Sequence, residues 1–233
     1  MDLFANKSMK VSVIVPAFNE EKYIRACLES LQNQTVKAAE IIVVDNNCTD
    51  NTVAIASEFD VRIVKETKQG MTYSRSKGFS SAKSEVLARC DADSILPSNW
   101  IERILYNFTK RKQIDGLIGL TTIYDFPVKN IKPLFKASIY LFKEISGYFP
   151  LFGTSMAISK KIWDEIKDEL CDDNAEFHED IDISVHINKH NGVIVFDPHF
   201  EAQFSARRIK RDPYEFLVEY PARTLKTYRG HSL

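Results

Sequence analysis

The chain has 233 residues, 44% hydrophobic and 27% charged, the composition of a soluble globular protein with a real core. With 31 Lys and Arg against 32 Asp and Glu, no bulk charge argues for a nucleic-acid partner. No run reaches the roughly 18 uncharged apolar residues of a spanning helix. The opening MDLFANKSMK has no apolar signal core, so the expected location is the cytoplasm or the cytoplasmic face of a membrane.

VSVIVP (11–16) is a short β-branched run and reads as a strand buried on both faces. The following NEEKYIRACLESLQNQ sets Ile24, Cys27, Leu28 and Leu31 on one helical stripe, with Asn19 as the expected N-cap. EIIVVD (40–45) reads as a strand, 50–59 as a helix, 61–66 as a strand and 72–83 as a helix. EVLARCD (85–91) is a fourth strand, and 98–111 is an amphipathic helix capped by Ser98. This alternation predicts an α/β fold with a mostly parallel sheet flanked by helices, in which ligands bind beyond the carboxyl ends of the strands. Three of those ends carry polar groups: Pro16-Ala17-Phe18-Asn19-Glu20, Asp45-Asn46-Asn47 and Asp91-Ala92-Asp93. Neither a Walker A loop nor a Gly-x-Gly-x-x-Gly turn follows the first strand.

The second half is less regular. Strands are expected at 114–125, 153–160 and 192–198, and a helix at 160–170. The segment 176–192 is ambiguous, because Ile181, Ile183, Val185 and Ile187 alternate as in a strand within a charged, Gly-terminated helical context. The apolar stretch 131–152 is broken by Lys132, Lys136, Lys143 and Glu144. Two readings stay open for it: an interfacial helix whose lysines meet lipid phosphates, or a core or subunit-interface helix, which would make a homodimer. The tail 213–229 reads as helix interrupted near Pro221. From Arg207 to Arg229 seven basic residues face three acidic ones, a patch suited to a phosphate, a membrane surface or plain solvent. Cys27, Cys48, Cys90 and Cys171 read as reduced, packed thiols. With no repeat or linker, one domain over 1–233 is expected, its halves at about 9–111 and 112–233.

Two carboxylates separated by one residue at a strand end, Asp91 and Asp93, suit Mn²⁺ or Mg²⁺, although Asp is also at home in any loop. His199 is a candidate third ligand in the loop expected after 192–198.

Taken together, VSVIVPAFNEEKYIRACLESLQNQ, EIIVVDNNCTDNT, SRSKGFSSAKSEVLARCDADS, GTSMAISK, HEDIDIS and FSARRIKR resemble glycosyltransferase family two, whose fold is GT-A. The motifs span about residues 11 to 211. The resemblance implies a nucleotide-diphosphate sugar as donor, a glycan or lipid-linked hydroxyl as acceptor, and inversion at the anomeric carbon. Pro16, Ala17, Asn19 and Glu20 would line the nucleoside pocket, with Ala92 beside it, and Asp45 would accept from the base. Arg75, and with it Arg207 and Arg208, would meet a phosphate. Asp91 and Asp93 would hold the metal, Asp180 would act as general base, and Glu179 is the other candidate. Ser94 and Ser76 depart from the family's Asp and Asn. The Gln-x-x-Arg-Trp motif of processive synthases is absent, since Gln203, Arg207 and Arg208 fail its spacing and type. The competing readings are a non-catalytic GT-A-like binding domain and a sugar-phosphate nucleotidyltransferase; PAFNEEK lacks the Gly-rich loop the latter needs.

Overall fold

The computed structural model describes residues 9–111, 113–125, 131–171, 177–212, 214 and 218–230. The elements follow in the order β1 Val11–Ala17, α1 Ile24–Gln32, β2 Glu40–Asp45, α2 Thr52–Ala56, β3 Arg62–Lys65, α3 Met71–Ser81, β4 Val86–Arg89 and α4 Trp100–Lys110. Then come β5 Gly116–Ile123, α5 Lys132–Ser146, β6 Met156–Ser159, α6 Lys160–Ile166, α7 Glu179–Lys189, β7 Ile194–Phe204, α8 Arg207–Arg211 and α9 Tyr220–Gly230.

The strands form one seven-stranded sheet in the order β3-β2-β1-β4-β6-β5-β7. β1 pairs in parallel with β2 and β4, and β2 with β3. β6 runs antiparallel to β4 and β5, and β5 pairs in parallel with β7. The predicted mostly parallel α/β sheet is therefore present, and it continues through both halves of the chain. β1 is buried at every position because helices cover both faces. On one face Val13 and Val15 meet the α1 stripe Ile24, Cys27, Leu28 and Leu31, together with Trp100, Ile101 and Ile104 of α4. On the other, Ile14, Ile42 and Val44 meet Phe79, Trp163 and Ile183, the rings of Phe79 and Trp163 lying 5.0 Å apart. Between Ile118 and Leu120 the β5–β7 register shifts. A Cβ on Gly119 would sit 1.6 Å from the Phe200 carbonyl oxygen, so only glycine fits this bulge.

Several local expectations are corrected. Asn19 does not cap α1: the helix begins after Tyr23, and Asn19 adopts φ 56° in the preceding turn, its Oδ1 accepting from the Thr49 amide at 2.8 Å. Ser98 does not cap α4 either, since Asn99 precedes its first residue and no side chain caps it. The ambiguous 176–192 segment is a helix from Glu179, and residues 180–187 are all buried. It packs against α6, α9 and β7, and a helix enclosed on every side shows no polar stripe for its period to betray. β7 runs past the expected end at Pro198 to Phe204. Pro221 falls in the first turn of α9, where proline is tolerated, and does not interrupt it.

The 131–152 stretch is α5, entered through a proline in its first turn and closed by Gly147 at φ 87°. Its lysines do not gather on the outer face. Lys132 pairs with Glu201 at 2.7 Å, and Lys143 lies 4.7 Å over the Phe149 ring. Leu134, Leu141 and Ile145 stay exposed. Among the described residues no helix is long and apolar enough to cross a membrane, and all four cysteines are free.

Candidate active site

The order β2-β1-β4 places three carboxyl ends side by side where the chain leaves β1 in opposite directions, the position at which open α/β sheets bind ligands. A cleft of about 440 Å³ opens there. Its wall includes Pro16 and Ala17 at the end of β1, Asn19 and Glu20 just after it, Asn46 after β2, Asp91 and Ala92 after β4, and Arg207 and Arg211 of α8. Gly70, Met71 and Ser74 close it from the start of α3. Gly70 has φ 143°, a backbone that side-chain-bearing residues rarely adopt, and its amide donates to Asn46 Oδ1 at 2.9 Å. Asp45 sits at the end of β2 but faces its own turn: Oδ1 accepts from the Cys48 amide at 2.8 Å, and Lys65 lies 3.6 Å from Oδ2. Asn46 takes the place in the wall that the sequence suggested for Asp45.

Two ion clusters flank the cleft. In the first, Arg207 joins the ends of β1 and β4. Its Nε donates to Asp93 Oδ2 at 2.9 Å, its Nη2 donates to Glu20, and the guanidinium lies 4.5 Å over the Tyr23 ring. Burial alone would lower the Arg207 pKa, but Glu20 and Asp93 more than offset this and raise it. The segment is held from behind by Asp125, which accepts from Ser205 Oγ at 3.0 Å, from the Ala206 amide and from Lys210 Nζ at 3.2 Å. Arg208 lies in the same helix, its side chain outside the described residues.

The second cluster is built on two buried arginines. Arg89, the last residue of β4, donates through Nη2 to Asp91 Oδ1 at 2.9 Å and through Nη1 to Asp180 Oδ1 at 2.7 Å. Arg75 of α3 approaches Glu179 at 2.9 Å and Asp180 at 3.4 Å. The Gly153 amide donates to Asp180 Oδ2 at 2.7 Å. A Cβ at Gly153 would meet the Arg89 guanidinium within 2.3 to 2.5 Å, so a glycine lets the guanidinium close over it. Burial would raise the Asp180 pKa, yet Arg89, Arg75, His178 and the Gly153 amide hold it below the usual carboxylate value. Burial pushes the Arg75 guanidinium down to about 9, against the pull of Asp180. His178, next to the pair, is also lowered by burial.

Arg75 is thus drawn to the α7 carboxylates and does not line the cleft, where a diphosphate would lie. His199 does not join Asp91 and Asp93: it is an exposed residue within β7, not in a loop. Gln203, which bridges to Ile95 close to Asp93, is four strand residues or about 13 Å further on. Among the described residues no cage of three His, Cys, Asp or Glu side chains is assembled. The donors still fit Mn²⁺ or Mg²⁺ in type. Asp91 lines the cleft and Asp93, also a hard carboxylate, lies buried behind Arg207, and such ions commonly take one or two carboxylates and complete their shell with phosphate oxygens and water. Arg89, Tyr23 and the wall residues Gly70, Met71, Ser74 and Arg211 are site residues that the sequence reading missed. The available signal for Arg89 was a charge ending an apolar strand, which must find a partner once buried.

Comparison with known proteins agrees with this architecture. The family described as "Glycosyl transferase family 2" matches residues 12–162. "Glycosyltransferase GlyG" of Streptococcus pneumoniae is 37% identical over 121 residues, covering 49% of this chain and 40% of the relative. The chain therefore spans well under two thirds of that relative's length. A mannosyltransferase from Pyrobaculum calidifontis, solved with GDP-Man and Mn²⁺, superposes with a TM-score of 0.74 at 16% identity, over 97% of this chain and 64% of its own. Glucosyl-3-phosphoglycerate synthase from Mycobacterium tuberculosis, solved with Mn²⁺, UDP and glucosyl-3-phosphoglycerate, gives 0.69 at 16% identity, over 96% and 80%. At these identities the two structures speak for the GT-A fold.

Proposed function

The chain belongs to glycosyl transferase family 2, and from that premise we propose that it moves one sugar from a nucleotide-diphosphate donor to a hydroxyl acceptor, with inversion. UDP-sugars stand ahead of GDP-sugars as donors, and the product is a glycan, glycolipid or cell-envelope polysaccharide. The observation that carries the proposal is the cleft itself: one wall holds Asp91, and Arg89 links Asp91 to the Asp180 carboxylate.

The nucleoside enters between the β1 end and Asn46, with the diphosphate toward Asp91 and Arg207. Asp91 and Asp93 would hold the divalent ion, which when bound would offset charge growing on the leaving diphosphate. The acceptor oxygen bonds to the anomeric carbon as the bond to the diphosphate oxygen breaks, and the hydroxyl proton passes to Asp180. Arg89 and Arg75 keep that carboxylate ionised and oriented. Each Asp180 oxygen accepts one of these hydrogen bonds and keeps a further lone pair for the acceptor hydroxyl.

The test is release of nucleoside diphosphate from a panel of UDP- and GDP-sugars, with Mn²⁺ or with chelator, and anomeric assignment of the product by NMR. Asp180→Asn should lower turnover by about 10²–10⁴-fold, and Glu179→Gln by much less. No metal-dependent release from any donor, with the protein folded, leaves the non-catalytic binding domain as the better reading.

A further inference from the structure

Asp91 and Ala92 line the cleft, but Asp93 does not; Arg207 does. The carboxylate expected to ligate the ion is buried, and the guanidinium stands between it and the cleft. The same guanidinium reaches Glu20 on the far side and rests on Tyr23. We propose that Arg207 is the counter-ion of Asp93 whenever no metal is bound: it holds the cationic position over that carboxylate and exchanges with the divalent metal, moving onto the donor diphosphate as the metal and nucleotide bind. The proposal rests on the metal reading above and adds a role for this side chain.

The exchange follows from charge and exposure. An ammonium or guanidinium held against a carboxylate repels a divalent cation brought to the same oxygens, so both cannot keep full contact. The Arg207 side chain is 26% exposed, against 2% for Arg89. Its partners Glu20 and Asp93 are buried, so the guanidinium leaves Asp93 only as another cation replaces it, and a diphosphate offers a planar guanidinium two-pronged, doubly charged acceptors. The backbone of the segment is separately pinned through Ser205 and Ala206 on Asp125, so the side chain can swing while its helix stays. Arg207 is thus a positioning residue that makes metal and nucleotide binding mutually dependent.

The test measures Mn²⁺ binding, by electron paramagnetic resonance of the free ion, to wild type, Arg207→Gln and Asp93→Asn, with and without UDP. Arg207→Gln should bind Mn²⁺ alone about tenfold more tightly than wild type, the exchange of one charged hydrogen bond. UDP should then tighten Mn²⁺ binding less in the variant than in wild type. A merely structural role for Arg207 would weaken Mn²⁺ binding and not strengthen it. If wild type binds Mn²⁺ through Asp93 but Arg207→Gln binds it no more tightly, the exchange is wrong and the metal reading stands. If no protein binds Mn²⁺ with or without UDP, the metal reading falls and the exchange with it. In case the variant folds poorly, amide hydrogen exchange of 205–211 in wild type gives a second reading: Mn²⁺ with UDP should alter it, and an unchanged pattern at saturation overturns the proposal.

Discussion

Two arginine–carboxylate clusters stand at the same end of one sheet, and only one of them has a guanidinium that reaches water. Arg89 and Arg75 are 2% and 3% exposed at their side chains and share Glu179 and Asp180 between them. Arg207, tied to Asp93 and Glu20, is 26% exposed. The chemistry of the pairs is alike, so the difference in desolvation separates their roles. A buried pair cannot lose one member without stranding the other in low dielectric. A guanidinium that already reaches water can be exchanged for a cationic ligand without stranding its carboxylate. On the proposals above, the first cluster would be a fixed frame for the carboxylates of α7, and the second the replaceable lid of the proposed metal site.

Breaking the frame should have the largest effect. Arg89→Met leaves Asp180 and Asp91 without their shared cation, and should cost about 3–5 kcal/mol in urea unfolding. A loss under about 1 kcal/mol would mean that the cluster is wet in solution, and the contrast would collapse.

A pH effect comes next. His178 is buried beside the frame, its pKa lowered from 6.5 by desolvation, with Arg75, Arg223 and Arg89 adding to it against Asp180. Below 6.5 the unfolded chain therefore takes up a proton that the folded chain refuses. Stability should fall with pH in that window, by at most about 1.4 kcal/mol per unit. Melting curves of wild type and His178→Gln should show the slope only in wild type. Equal slopes would place the titration elsewhere.

The smallest expected change is the stability of Arg207→Lys, which keeps a cation over Glu20 and Asp93, within about 1 kcal/mol of wild type. A loss as large as that of Arg89→Met would erase the distinction between lid and frame.

The first half of the molecule was legible because its strands are continuous apolar runs and its polar groups fall where those runs stop. VSVIVP, EIIVVD and EVLARCD locate β1, β2 and β4, and the residues after them line the cleft or border it. The second half resisted for reasons that are physical. Residues 180–187 are enclosed by α6, α9 and β7, so neither a helical nor a strand stripe stands out. β7 passes through Pro198 because the proline sits at the irregular part of the β5–β7 pairing, where a missing ladder donor is tolerated. The α7 partners of Arg75 and Arg89 come from residues about a hundred positions away, and only packing reveals such pairings. The FSARR segment signalled a basic surface, and it took the fold to bring Arg207 onto Asp93.

The most direct test of the account is the melting temperature of wild type and Asp93→Ala with UDP or GDP, each with and without Mn²⁺. One diphosphate at a hundredfold excess over its dissociation constant should stabilise wild type by about 2.7 kcal/mol. That gain should need both Mn²⁺ and Asp93. A gain that survives Asp93→Ala unchanged, or no gain from either nucleotide, would contradict a metal-assisted donor site at the end of β4.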